Sequence, residues 1–239
     1  MFDRDGVPEG AFTIAIDGPA GSGKSSAARG VARALGVDYI DTGAMYRALT
    51  WWMLEHGIDP ADSDRIASHA LDPDVSITWD VQHPLITVDG VDVTADIRSD
   101  RVSAAVSQVS AIPQIRQRLV ALQRDMVGES IRSGRGVVME GRDIGTVVLP
   151  DATLKVFLTA DVRIRAERRA AENSARHPAS DTDHFSTALE NLTDRDSVDT
   201  NRDASPLTMA VDAVIIDASH LSLDQVVAQI VSLVKERGR

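Results

Sequence analysis

Gly18-Pro-Ala-Gly-Ser-Gly-Lys-Ser25 sets glycine, lysine and serine at the spacing Gly-x-x-x-x-Gly-Lys-Ser. Glycines there let consecutive backbone N–H groups curl around a phosphate, the lysine reaches the terminal phosphates of a nucleotide, and the serine hydroxyl can ligate Mg²⁺. A nucleoside triphosphate is therefore the expected ligand of Gly18, Pro19, Ala20, Gly21, Ser22, Gly23, Lys24, Ser25 and Ser26, with Ser25 as the expected metal ligand. The chain has three lysines, Lys24, Lys155 and Lys235, and every other basic residue is arginine. A scarce residue type thus stands where a slim ammonium must enter the loop. Three more stretches join arginine to carboxylates: Asp41-Thr-Gly-Ala-Met-Tyr-Arg47, Gly141-Arg-Asp-Ile-Gly145 and Arg195-Asp-Ser-Val-Asp-Thr-Asn-Arg202. Brought together, such arginines suit two phosphate groups facing each other. Phosphoryl transfer asks for that alignment and charge neutralisation more than for covalent help. For residues 41–47 a plainer reading is also open, a helix cap at Thr42 with Arg47 solvated.

These stretches need a frame to hold them. Residues 12–17 form a short apolar run fit for a buried strand, and residues 26–35 carry apolar residues at helical spacing up to Gly36. Further strands are expected at 37–41, 136–140, 154–159 and 213–217, alternating with helices at 43–56, 99–111, 114–133, 161–177, about 185–193 and 222–236. This pattern predicts an α/β fold of the P-loop type: a five-stranded parallel sheet with helices on both faces and ligands at the C-terminal strand ends. Residues 57–74 read as a loop-rich link. Alternating runs at 75–79, 85–88 and 91–94 around Asp89-Gly90 predict a small inserted antiparallel sheet. Arg116 and Arg118 lie beside the apolar stripe of their helix, where most arginines are solvated. The arginines at 163, 165, 168, 169 and 176 give a basic helix followed by a polar stretch, 178–183.

With 239 residues, 43% of them hydrophobic, the chain can bury a sizeable core. No run reaches membrane-span length, and residues 1–11 lack a signal-peptide core, so a cytoplasmic protein is expected. The absence of cysteine excludes disulfides, thiolate metal sites and cysteine nucleophiles. A net charge of -11 argues against long nucleic acids, so an anionic ligand needs a local basic pocket.

In this order, Ile16-Asp-Gly-Pro-Ala-Gly-Ser-Gly-Lys-Ser25, Asp41-Thr-Gly-Ala-Met-Tyr-Arg47, Ser107-Gln-Val-Ser-Ala-Ile-Pro-Gln-Ile-Arg116, Glu140-Gly-Arg-Asp-Ile-Gly-Thr-Val-Val148 and Arg195-Asp with Asp199-Thr-Asn-Arg202 and Ser205-Pro-Leu resemble the bacterial cytidylate kinase family. The resemblance runs from Phe12 to the C-terminal helix. It implies a nucleoside monophosphate kinase in which ATP, as co-substrate with Mg²⁺, phosphorylates CMP or dCMP. It further implies a core of 11–44, 112–166 and 205–239, a monophosphate-binding part of 45–111 holding the inserted sheet, and a lid of 167–204. By position, Ser107, Arg116 and Asp143 are expected to read cytosine, a carboxylate accepting from its amino group and Arg or Ser donating to O2 and N3. Arg47, Arg142 and Arg202 are expected to clamp the monophosphate or the transferred group, with Arg195 and Asp199 on the ribose side. Thr42 and Tyr46 complete the substrate-binding set, and Lys24, Arg142, Arg195 and Arg202 the catalytic set. Arg165 is expected to lie outside it. Val198 and Thr200 stand where some relatives carry arginine. The expected partners are small nucleotides alone, with neither long nucleic acid nor membrane, and the working unit is expected to be a monomer. Another P-loop kinase, acting on UMP, AMP or a sugar-like acid, shares the core. A GTP-dependent switch protein would carry Asn-Lys-x-Asp, and no asparagine here precedes a lysine.

Overall fold

In the computed structural model, residues 11–78, 81, 84–176, 183–202 and 204–237 are described. The first part of the chain runs β1 (Thr13–Asp17), α1 (Lys24–Leu35), β2 (Asp38–Asp41), α2 (Thr42–Glu55), α3 (Ser63–Ser68), β3 (Val75–Ile77), β4 (Ile86–Val88) and β5 (Val91–Asp92). Then come α4 (Asp100–Ala111), α5 (Pro113–Arg132), β6 (Val137–Gly141), β7 (Leu154–Thr159), α6 (Val162–Arg176), α7 (His184–Asn201), β8 (Val214–Asp217) and α8 (Leu223–Arg237). Residues 1–10, Trp79, residues 177–182 and Gly238 lie outside the described residues.

The main sheet has the order β2-β6-β1-β7-β8, and all its pairings are parallel. β1 is its centre, with Ile14 beside both Val138 and Leu154. Alternation sends Ile14, Ile16, Val138, Leu154, Val156 and Leu158 into one core with α1 and α8. It sends Ala15, Ile40, Val137 and Met139 into the other with α2, α5 and the small sheet. Burial on both faces explains why these strands read as continuous apolar runs. Each fully buried Ile or Leu contributes roughly 1.5–3 kcal/mol through area removed from water. The C-terminal ends of β1, β2 and β6 therefore open side by side.

The small sheet has the order β3-β4-β5 and turns at Asp89-Gly90, whose φ values of 52° and 79° suit a two-residue hairpin. Its Asp89 carboxylate accepts from Trp52 Nε1 at 2.7 Å and from the Asp74 N–H at 2.7 Å, which binds the insertion to α2.

Three local expectations need correction. The link 57–74 contains α3, capped by Asp62, whose side chain accepts from the Arg65 N–H. Arg118 is not solvated: it donates to the carbonyls of Ala70 and Pro73 and so holds that link against α5. The helix expected to stop near 193 continues as α7 to Asn201, where Asp196 and Asp199 pair with Arg165 and Arg142. After β6 a π-helical turn spans Ile144–Val148. It is set by tertiary bonds, Asp17 Oδ1 and Oδ2 accepting from the N–H groups of Ile144 and Gly145 at 2.8 and 2.7 Å.

Candidate active site

The phosphate loop is shaped by the sheet beneath it. Gly18 follows β1 with φ 149°, and a Cβ there would sit 2.0 Å from the Leu158 carbonyl oxygen, so the close passage over β7 admits only glycine. Lys24 opens α1 and folds back over the loop, Nζ donating to the Pro19 carbonyl at 2.7 Å. Burial, and then the neighbouring Arg142, pull the Lys24 ammonium down to about 7. A bound polyphosphate would reverse that. Beneath the loop, burial pushes the Asp17 carboxyl up to about 6, although the Gly145 and Ile144 N–H groups favour its charged form. Burial, reinforced by Asp41, also raises the Glu140 carboxyl, which takes hydrogen bonds from the Tyr39 and Ser25 hydroxyls.

The second half of the site is built from arginines held by carboxylates. Arg142, just past β6, puts Nε 2.8 Å from Asp199 Oδ2 on α7. Burial alone would lower its guanidinium, but Asp199 raises it overall, and burial of Asp199 is in turn outweighed by Arg142. Arg202, the residue closing α7, donates Nε to the Ser205 carbonyl at 2.6 Å and approaches Asp199 Oδ1 at 3.5 Å. Arg116 on α5 pairs with Asp143, donates to the Ser110 carbonyl at 3.3 Å, and stands 5.4 Å over the Tyr46 ring. At 4% exposure it is no solvated side chain. Arg47 donates to the Ile97 carbonyl at 3.1 Å and to Ser103 Oγ at 2.9 Å, and burial with Arg195 nearby lowers it to about 10. Burial and a neighbouring guanidinium likewise lower Arg195 (beside Arg142) and Arg202 (beside Arg116). Positive charge is crowded beyond what the carboxylates neutralise, which favours an anion.

Both halves line one cavity of about 660 Å³. Ala20 to Ser26, Thr42, Tyr46, Arg47, Ser107, Arg116, Arg142, Asp143, Arg195, Asp199 and Arg202 all face it. Gly18 and Pro19 are not among the lining residues. Thr42 is buried and donates Oγ1 to the Glu140 carbonyl at 2.7 Å, while Asp41 caps α2 by accepting from the Ala44 N–H, so the cap falls one residue earlier than expected. Among the described residues, Ser22 Oγ, Arg116 Nε, Arg195 Nε and Arg202 Nη2 are buried in the cavity wall without a partner. Buried donors left unpaired are costly, and their concentration in one wall marks the place a polar ligand completes.

A model of the cytidylate kinase family matches residues 14–236, a span that contains every residue of this site. A cytidylate kinase of Mycobacterium leprae (strain Br4923) is 49% identical over 232 residues, covering 95% of this chain and 97% of that one. The chain belongs to the cytidylate kinase family. A second member, from Streptomyces avermitilis, is 48% identical over 227 residues, with 95% and 94% of the two chains covered. The crystal structure of an uncharacterized protein from Eubacterium ventriosum, 13% identical over 94% of this chain and 98% of that one, superposes with a TM-score of 0.50 and shares the fold.

Sequence reasoning overlooked several residues that shape this family site. Asp17 and Glu140 stand inside quoted motifs, yet each reads as the polar end of a strand, and only the fold turns them under the loop. Arg98 reaches Asp41 at 3.8 Å, and Arg168 donates to the Ala218 carbonyl at 2.7 Å at the far end of the cavity, beside Leu221 and Val226. Arg165, set aside beforehand as outside the site, is 6% exposed and touches the phosphate loop. Nothing in a run of five arginines distinguishes it.

Proposed function

We infer that this protein transfers the terminal phosphoryl group of ATP to CMP and dCMP, giving ADP with CDP or dCDP. The observation that carries the reading is the joining, in one cavity, of a phosphate loop and a second anion site whose arginines keep unpartnered donors beside a paired guanidinium and carboxylate. We assign the triphosphate of ATP to Gly18–Ser26 and its base to the end walled by Arg168, Ala218 and Leu221. Asp143 accepts from the cytosine amino group while Arg116 and Ser107 donate to its ring acceptors, with Tyr46 and Thr42 in the surrounding wall. Uracil would set a carbonyl against that carboxylate and is disfavoured. Arg47, Arg142 and Arg202 hold the acceptor phosphate, Arg195 and Asp199 its ribose side, and Lys24 with the arginines neutralises charge as the phosphoryl group passes in line.

A hard oxygen-seeking ion fits beside this loop. Among the described residues no three His, Asp or Glu side chains form a ready ion cage, whereas the Ser25 hydroxyl lies against the Glu140 carboxyl. One hydroxyl and one carboxylate suit Mg²⁺, which takes most of its ligands from phosphates and water. Ser25 would hold it, with Glu140 in support. Bound there, Mg²⁺ would supply positive charge against the phosphates that Lys24 and the arginines also neutralise. In this reading 11–44, 112–166 and 205–239 form the core, 45–111 the monophosphate-binding part with the inserted sheet, and 167–204 a lid. The working unit in this reading is one chain. We place it in the cytoplasm; no helix among the described residues is long and apolar enough to cross a membrane. A coupled assay of ADP release across CMP, dCMP, UMP and AMP tests the assignment. Turnover with CMP and dCMP well above the other two is expected; preference for UMP or AMP would overturn it.

A further inference from the structure

One peptide group of the phosphate loop is held at both ends. Its carbonyl, that of Pro19, accepts from Lys24 Nζ at 2.7 Å, and its N–H, that of Ala20, donates to Asp196 Oδ1 at 3.1 Å. The peptide is planar and rigid, so whatever fixes the N–H also fixes the carbonyl on which the lysine rests. Asp196 lies on α7, one residue after Arg195 and three before Asp199. Its other oxygen pairs with Arg165 Nη1 at 2.7 Å, and the same nitrogen donates to the Ala20 carbonyl at 2.8 Å. Arg165 Nε is anchored on the Ala160 carbonyl at 3.0 Å, at the end of β7. Ala20 thus has both backbone groups satisfied by one part-buried ion pair from α6 and α7. The joint is backed by apolar contact: Ala20, Ala166, Ala188 and Leu192 form a small core, and a Cβ on Gly21 would meet Leu192 Cδ2 at 3.4 Å.

We propose that Arg165 and Asp196 are positioning residues that clip the phosphate loop to the helix carrying Arg195, Asp199 and Arg202, so that acceptor binding and donor binding are coupled through α7. This rests on the assignment of ATP to the loop and CMP to the arginine wall. An acceptor that orders Arg142, Asp199 and Arg202 orders α7, and α7 orders the peptide that seats Lys24. Neither clip residue needs to touch either nucleotide.

A purely structural tie would weaken both ligands alike, whereas a coupling tie changes how one ligand alters the other. The experiment measures the affinity of the β,γ-imido analogue of ATP by calorimetry, without and with saturating CMP, in the unsubstituted protein, Arg165→Met, Asp196→Ala and the double variant. Steady-state kcat and KM for CMP and melting temperatures are recorded alongside. In the unsubstituted protein CMP should tighten the analogue by about tenfold, within the usual range of site–site coupling. Each single variant should bring that factor close to 1 and lower kcat about tenfold while the KM for CMP moves less than about threefold, and the double variant should be no worse than the poorer single, since the pair acts as a unit. Should either variant fail to fold, Asp196→Asn keeps an acceptor for Ala20 while losing the ion pair, and a factor reduced to about threefold is expected of it. A factor near 1 in the unsubstituted protein, or an unchanged factor in the variants, overturns the clip. Absence of CMP turnover in the unsubstituted protein counts instead against the function.

Discussion

Binding of ATP should draw a proton into the site, because Lys24 is held near 7 in the empty loop by burial and by Arg142. The perturbation is the arrival of the phosphates, which give the ammonium the counter-charge it lacks and return it towards the ordinary lysine value of 10.5. A group with a folded value of about 7 is about half neutral at pH 7 and about nine-tenths neutral at pH 8. Uptake through Lys24 should therefore be about 0.5 proton per ATP at pH 7 and about 0.9 at pH 8. The assay is calorimetry of ATP binding without CMP, in EDTA, in buffers of different ionisation enthalpy, where the slope of heat against that enthalpy counts protons. EDTA keeps metal ions away from Asp17 and Glu140, whose raised carboxyls would release protons to them. Subtracting the slope measured with Lys24→Met isolates the lysine from the titration of ATP itself. The sign carries over to stability: a depressed lysine makes the protein lose stability as pH falls from about 10.5 to about 7, with no further loss from this group below that. A difference slope near zero at pH 8 would refute the reasoning, since it would mean that Lys24 is already charged in the empty loop.

Gly18→Ala should cost on the order of 4 kcal/mol or prevent folding, because its Cβ would be driven to 2.0 Å from the backbone of Leu158; a melting temperature within a few degrees of the unsubstituted protein would contradict the passage described here. Asp143→Ala should lower kcat/KM for CMP about 100-fold, leave ATP affinity within about threefold, and hurt UMP far less; equal losses for the two pyrimidines would make Asp143 a support for Arg116 alone. Arg202→Ala should lower kcat about 100-fold, whereas Arg135→Ala, which only breaks a half-exposed pair with Asp38, should leave kcat within about twofold. Similar small effects at both positions would remove Arg202 from the reaction.

What could be read from the chain and what could not divides along a physical line. The inner strands of the main sheet were legible because burial on both faces demands unbroken apolar runs, as in Ile14-Ala-Ile16 and Val137-Val-Met139. The phosphate loop was legible because its chemistry is local: backbone N–H groups, one lysine and one hydroxyl within eight residues. The reach of α7 was not, since residues 194–201 are mostly polar and their helix is held by contacts and ion pairs made elsewhere, Asp196 with Arg165 and Asp199 with Arg142. The π-helical turn at Ile144–Val148 was equally hidden, because the carboxylate that fixes it, Asp17, lies 127 residues away from Ile144 in sequence. Arginine is the clearest case. Arg116, Arg118 and Arg165 look alike in sequence, and their fates are a carboxylate pair, two loop carbonyls and the phosphate loop.

The same ion pairs bear on how the site works. Asp143 and Asp199 engage Arg116, Arg142 and Arg202, so an acceptor held as proposed above would meet guanidinium groups that already share their charge with carboxylates. Sharing lowers binding strength, because the carboxylates offset part of what a phosphate would gain. It also leaves the arginines in place before the substrate arrives. For phosphoryl transfer that trade favours rate: donors already aimed at the position where charge develops need no reorganisation during the reaction, and tight binding of the ground state adds nothing to kcat. Arg195, whose Nε like Arg116 Nε has no partner among the described residues, stands beside Asp196, which accepts from the Ala20 N–H of the phosphate loop.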